Sequence, residues 1–112
     1  MNMPLEHEID ALTATQVVAG LAKLDGWLLR GDGPDIAIEK TFNFANYAQT
    51  MAFVNTVAWL AQARNHHPDL LVQFSRCKVQ WHTHDVAGLS RLDFDCAAAV
   101  DALTSNVMVQ NS

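Results

Sequence analysis

The chain is poor in basic residues and in long apolar runs, and each shortage excludes a class of protein. It has seven lysines and arginines against twelve aspartates and glutamates, which gives a formal net charge of −5 at pH 7. The basic residues are scattered along the chain, a pattern that argues against binding to nucleic-acid phosphates. No apolar stretch approaches the ~20 residues that a membrane helix needs. We therefore expect neither a nucleic-acid partner nor a membrane span.

Cysteine is also scarce. Cys77 and Cys96 are the two cysteines, and both lie among apolar neighbours. The N-terminal residues lack the charged-then-apolar order of a secretory signal, and disulfides are rare in proteins that are not exported. We therefore expect two reduced, buried thiols and a cytoplasmic location.

The remaining composition favours one compact domain. The chain has 112 residues, of which 50% are hydrophobic, and this is enough for a single core. No internal repeat and no long linker divides it. We therefore expect a single domain over 1–112, with a core from about 12 to 104 and a loose arm at 1–11.

The pattern of apolar residues predicts seven elements in the order α-β-β-α-β-β-α. They are a helix from Thr13, strands at 27–29 and 36–44, a helix from Asn46 to about 65, strands at 70–74 and 77–83, and a final helix after Ser90. Gly26 is expected to end the first helix in a left-handed conformation. Two hairpins then give a four-stranded antiparallel sheet with three helices on one face, which is an α+β fold.

Capping signals support the helix starts. Thr13 with Gln16, and Ser90 with Asp93, have the spacing of a capping box. We therefore interpret the role of Asp93 as structural, as the third residue of the capping box that begins the final helix. The helix from Asn46 is apolar over more than one stripe, which is typical of a helix that also contacts a second subunit.

Histidine is concentrated in the second half of the chain. Four of the five histidines form two clusters: His66, His67, His82 and His84. Histidine exchanges protons near pH 7, so one interpretation is an acid/base site lined by His66, His67 and His84. Because residues two apart on a strand project to the same side, His82 and His84 are expected to point together, with His84 closing the strand.

Two other interpretations of the histidines stay open. One is a zinc site, in which His82 and His84 are joined by a third histidine and by Asp69 or Asp85. The other is a set of polar residues at the ends of helices and strands, with no shared role. The tryptophans are interpreted as core or interface residues, although Trp27 could stack on a flat ligand.

The chain resembles the pterin-4a-carbinolamine dehydratase family from about residue 12 to 103. The resemblance is carried by Gly26-Trp27, by Phe42-x-Phe44 followed by Asn46, and by His66-His67-Pro68 with Phe74, His84 and Asp93 at fixed intervals. The segment Thr83-His84-Asp85-x-Ala87-Gly88-Leu89-Ser90 is similar to the family pattern Thr-His-Glu-x-x-Gly-Leu-Ser/Thr.

The resemblance implies a hydro-lyase that converts 4a-hydroxytetrahydropterin to quinonoid dihydropterin and water. Such an enzyme recycles the pterin of aromatic amino-acid hydroxylases, needs no metal or organic cofactor, and forms a homodimer or homotetramer. By this resemblance His66 and His84 are the acid/base residues, and His67 binds and orients the pterin. The implied pterin-binding residues are Asn65, His66, His67, Pro68, His82, Thr83, His84 and Asp85, with Asp93, Trp27 and Phe74 in support.

The sequence departs from the family pattern at two positions. Gln62 stands where the family usually has an acidic or otherwise charged residue, and His82 stands where it usually has a small hydroxylated one. The first change could slow catalysis, and the second could narrow the pocket or add a metal ligand. The alternative function is therefore a catalytically silent member that acts as a binding or dimer-stabilising module.

Overall fold

A computed structural model of the protein describes residues 10–104. The helices and strands are α1 (Ala14–Ala22), β1 (Leu28–Arg30), β2 (Ala37–Asn43), α2 (Tyr47–Arg64), β3 (Asp69–Gln73), β4 (Arg76–Trp81) and α3 (Arg91–Thr104), with 3-10 turns at Gly33–Asp35 and His84–Val86. The strands pair antiparallel in the order β1-β2-β4-β3. The predicted element order and α+β fold class are confirmed. The predicted loose arm falls mostly on residues 1–9, which lie outside the described residues.

The predicted capping box at Thr13 is confirmed, and a second polar residue caps the start of α2. The Thr13 hydroxyl accepts the backbone N–H of Gln16, and the Gln16 side chain accepts that of Thr13. Asn46 caps α2 by accepting the backbone N–H of Gln49 at 2.9 Å. These local bonds satisfy N–H groups that have no partner within the helix.

The predicted end of the first helix is wrong. Helix α1 ends at Ala22, and the backbone N–H of Lys23 already bonds back to Gly20 in a tightened last turn. Gly26 does adopt a positive φ of 83°, but in the turn that leads into β1. Of the two adjacent valines of α1, Val17 is buried in the core and Val18 is 67% exposed.

The core lies between one face of the sheet, here called the helix face, and the helices. Ile38, Phe42 and Phe44, from the strand predicted at 36–44, are buried there. Lys40, the polar residue among them, extends its ammonium to Asp101 Oδ1 at 2.9 Å, and the indole N–H of Trp27 donates to Asp101 Oδ2 at 3.0 Å. One carboxylate therefore satisfies both donors at the edge of the core.

Several large apolar side chains remain outside this core. Trp59 on α2 is 75% exposed and Tyr47 at its start is half exposed.

Cys77 and Cys96 are free and buried, as predicted. Within residues 10–104, no helix is long and apolar enough to cross a membrane.

Candidate functional site

The end of β4 divides its side chains between the two faces of the sheet. Trp81 pairs with Ile38 in the ladder and is fully buried on the helix face. His82, the next residue, projects to the opposite side, here called the open face, where it lies near Gln80. Thr83 turns inward again and is buried. Successive residues thus contribute to two polar clusters, one on each side of the sheet.

The inner cluster is built around Asp93 in the first turn of α3. Its side chain is completely buried, with 0% exposure. Asp93 Oδ2 accepts the Thr83 hydroxyl at 2.7 Å and the backbone N–H of Ser90 at 2.9 Å, and Oδ1 lies 2.7 Å from Nε2 of His66. The bond to Ser90 is one half of the predicted capping box. The other half is absent, because the Ser90 hydroxyl accepts the backbone N–H of Leu92 instead of that of Asp93.

The directions of the hydrogen bonds in this cluster follow from the carboxylate. A carboxylate only accepts, so Thr83 donates to Asp93, and the Ser90 hydroxyl must donate to Thr83 across their 2.8 Å contact. By the same reasoning Nε2 of His66 carries a hydrogen, and Nδ1 is the ring nitrogen left to accept a proton.

His66 is oriented from two sides. Asn65 ends α2 in the left-handed conformation, and the backbone N–H of His66 then bonds back to Ala61 at 3.2 Å. The imidazole stacks on the Trp81 indole with a centroid separation of 5.5 Å and an interplanar angle of 13°. Since its side chain is only 11% exposed, His66 is fixed by Trp81 and Asp93.

The outer cluster lies on the open face. Nε2 of His82 is 2.9 Å from Oδ2 of Asp69, and the rings of His82 and His84 meet edge to face with their centroids 4.1 Å apart. These side chains line a cleft of about 310 Å³ that reaches across to Arg30 and Asp35. The cleft is wide enough and polar enough for a small heterocyclic ligand.

A buried carboxylate lies under this cleft. Glu39 is 7% exposed, and its two oxygens accept hydrogen bonds from Arg30 Nε and Gln80 Nε2, each at 2.6 Å. Burial alone would raise the pKa of Glu39. The two hydrogen bonds and the charges of Lys78 and Arg30 outweigh that effect and hold its pKa below the ordinary value of 4.5.

The structure brings some of the predicted site residues together and separates others. His82 and His84 meet in the outer cluster, and His66 and Thr83 meet through Asp93 in the inner one. Three residues are exposed near these clusters without a side-chain hydrogen bond in the described part of the chain: Asn65, His67 and Asp85. Pro68 is half buried just before β3.

Three predictions about individual residues need correction. His84 does not close the strand: β4 ends at Trp81, and His84 begins the 3-10 turn. The interpretation of Trp27 as a core residue is confirmed and the alternative of stacking on a ligand is wrong, because its indole is buried in the core and packs edge-on against Phe42. Phe74 lies 71% exposed beside the β3–β4 turn, away from both clusters.

Sequence reasoning missed the partner of His82. It considered Asp69 only as a metal ligand, whereas the carboxylate bonds the imidazole directly. The β3–β4 register pairs Asp69 with Gln80, two residues before His82, so a known register would have indicated the contact. Among residues 10–104, no three histidine, cysteine, aspartate or glutamate side chains are grouped so that they could hold a metal ion.

Related sequences cover nearly all of the chain. The sequence profile described as pterin 4 alpha carbinolamine dehydratase matches residues 10–103. A relative from Paracidovorax citrulli, provisionally named a pterin-4-alpha-carbinolamine dehydratase, is 55% identical over 97 residues, which cover 87% of this chain and 84% of the relative. A Bdellovibrio bacteriovorus relative with the same provisional name is 45% identical over 105 residues, covering 89% and 84%.

Solved structures agree with the sequence comparisons. A transcriptional coactivator/pterin dehydratase from Brucella melitensis superposes with a TM-score of 0.78 at 28% identity, over 84% of this chain and 98% of that one. A pterin dehydratase-like protein identified as a RuBisCO assembly factor in the alpha-carboxysome gives 0.60 at 26% identity, over 70% and 88%. The fold, the sequence profile and the relatives agree, and the chain belongs to the pterin-4-alpha-carbinolamine dehydratase family.

Proposed function

We propose that this protein catalyses the dehydration of 4a-hydroxytetrahydropterin to quinonoid dihydropterin. The C4a–O bond breaks and a C4a=N5 double bond forms. The departing hydroxyl takes up a proton and leaves as water, while N5 gives up a proton, so no electrons are exchanged with another reactant. The reaction therefore needs one acid and one base beside the ring, and needs neither a metal nor an organic cofactor.

The observation that carries the proposal is the bond between His66 and the buried Asp93. With Nε2–H bound to a carboxylate, His66 presents Nδ1 as a base. The carboxylate also stabilises the imidazolium that forms once His66 has taken the proton from N5.

His84 is the proposed acid that protonates the departing hydroxyl. Its exposed imidazole lines the open-face cleft and can exchange its proton with water between turnovers. We place the pterin at the end of β4, where successive residues contribute to both clusters. There, Asn65, His67, Pro68 and Asp85 would contact the pterin, and Thr83 would act through Asp93.

We also propose that the protein is a homodimer or homotetramer in the cytoplasm, functionally linked to an aromatic amino-acid hydroxylase. The exposed Trp59 and Tyr47 on α2 support self-association, since side chains of this size are usually covered. The two free cysteines support a reducing compartment.

The test is the rate of dehydration of 4a-hydroxytetrahydropterin, followed by ultraviolet absorbance with and without EDTA. Thr41→Ala serves as a control, because Thr41 is exposed on the open face away from both clusters. We expect the wild type and this control to accelerate the reaction equally in EDTA. A wild-type rate equal to the spontaneous rate would favour the silent binding module, and a rate that needs added zinc would favour the metal site.

A further inference from the structure

We propose that His82, held by Asp69, is a positioning residue that sets the ring of His84 for catalysis. The proposal rests on the acid role given to His84 above. It concerns a residue that does not itself have to touch the pterin.

The backbone around His84 is fixed, but its side chain is not fixed by hydrogen bonds. The backbone N–H of Thr83 bonds to Gly88, and that of Ala87 bonds to His84, so the turn is closed at both ends. Within residues 10–104 the His84 imidazole makes no hydrogen bond, and its only ring contact is the edge-to-face one with His82. The rotamer of this exposed side chain therefore depends on His82.

His82 has the rigidity that His84 lacks. Its side chain is mostly buried, and its Nε2 bonds to Asp69 at 2.9 Å. Asp69 is the first residue of β3 and pairs with Gln80 in the ladder, so its carboxylate projects from a fixed strand. Strand Asp69–Gln73 thus orients His82, and the ring of His84 packs edge to face against the ring of His82.

The role differs from that of a proton donor or a charged partner. What His84 gains from His82 is a ring surface perpendicular to its own, at 81°. What His82 gains from Asp69 is a hydrogen-bond acceptor, which a neutral amide would also supply. Without the His82 ring, the His84 side chain would sample several rotamers. Reaction rates fall steeply when a reacting group is misplaced.

A kinetic double-mutant cycle tests the coupling. We expect His82→Ala to lower kcat about 10-fold while KM changes less than about 2-fold, because binding remains but His84 is misplaced. In the His84→Ala background the same substitution should have no further effect on kcat. An equal loss of kcat in both backgrounds would overturn the proposal.

Variants of Asp69 separate positioning from charge. Asp69→Asn keeps an acceptor for His82 Nε2 and should retain the wild-type kcat, whereas Asp69→Ala should lower kcat nearly as much as His82→Ala does. If Asp69→Asn and Asp69→Ala lower kcat equally, the carboxylate acts by its charge and the proposal is wrong.

A measurement without substrate keeps the proposal testable if the protein is not a dehydratase. Carbon-13 relaxation of the His84 ring reports its order on the ps–ns timescale. We expect an ordered ring in the wild type and in Asp69→Asn, and a more mobile ring in His82→Ala and Asp69→Ala. An equally ordered His84 ring in all four proteins would overturn the proposal, whereas an inactive wild type with the expected ring order would overturn the enzyme function alone.

Discussion

Nε2 of His66 lies 2.7 Å from Oδ1 of Asp93, and this bond joins the end of α2 to the start of α3. Asp93 is fully buried and its other oxygen is already bonded to Thr83 and Ser90. The residues after α2, the residues after β4 and the start of α3 are therefore linked through one carboxylate. This is why changes at Asp93 should affect both stability and chemistry.

Asp93→Asn should change the tautomer of His66, moving the ring hydrogen from Nε2 to Nδ1. An amide has one accepting oxygen, and the backbone N–H of Ser90 cannot accept, so the oxygen must face Ser90 and the NH2 group must face His66. His66 would then have to accept at Nε2 and carry its hydrogen on Nδ1. We expect kcat to fall about 10²-fold or more, by loss of general-base catalysis. Nitrogen-15 shifts of the imidazole would report the tautomer.

Asp93→Ala is the companion variant for stability. It leaves His66, Thr83 and Ser90 without their shared acceptor, so urea denaturation should show a loss of about 3 kcal/mol. Asp93→Asn should lose less, because the amide oxygen still accepts from Thr83 and Ser90 and the NH2 group donates to His66. The account is contradicted if the Asn variant keeps the wild-type tautomer and rate.

Local signals in the sequence predicted the elements better than their ends. Thr13 and Asn46 cap their helices as their neighbours in sequence indicate, because those bonds span three residues. The end of α1 could not be read from Gly26, since the last turn tightens at Lys23 before the glycine is reached. The ion pair of Lys40 with Asp101 joins residues 61 positions apart, so no local pattern could indicate it.

The candidate site was predicted in its residue types but not in its pairings. Histidine spacing, and above all the family resemblance, pointed to His66 and His84. The bond from His66 to Asp93 spans 27 positions, and that from His82 to Asp69 depends on the β3–β4 register. Such contacts are set by tertiary packing, which no local pattern of one sequence specifies.

The low pKa of Glu39 predicts acid sensitivity. A carboxyl whose pKa is depressed by folding stabilises the protein above its unfolded pKa, and the contribution is lost as the pH falls through the folded value. The wild type should therefore lose stability below about pH 4.5. Glu39→Gln should be less stable at pH 7 but should show a flatter pH dependence in urea titrations at pH 7, 5 and 3.5.

Arg30→Ala provides a second check on Glu39. Removing the guanidinium that bonds Glu39 should also flatten the pH dependence, though less than Glu39→Gln does, because Gln80 still donates. An unchanged slope in both variants would mean that other carboxyl groups cause the acid sensitivity.

Both cysteines should be unreactive in the folded protein. Burial raises the pKa of Cys77 and of Cys96 to about 11, so neither forms an appreciable fraction of the nucleophilic thiolate at pH 8. Ellman's reagent should titrate no thiol in the native protein and two thiols in guanidinium chloride. Rapid modification of either cysteine at pH 8 without denaturant would show that the core opens there.

The most direct test of the central claim is the dehydration rate of His66→Ala beside that of the wild type, in EDTA and at the pH of the wild-type optimum. If His66, oriented by Asp93, is the base, the wild type should accelerate the reaction and the variant should lose about 10²–10⁴-fold of that acceleration while remaining folded. A folded His66→Ala protein that dehydrates 4a-hydroxytetrahydropterin as fast as the wild type would contradict the account.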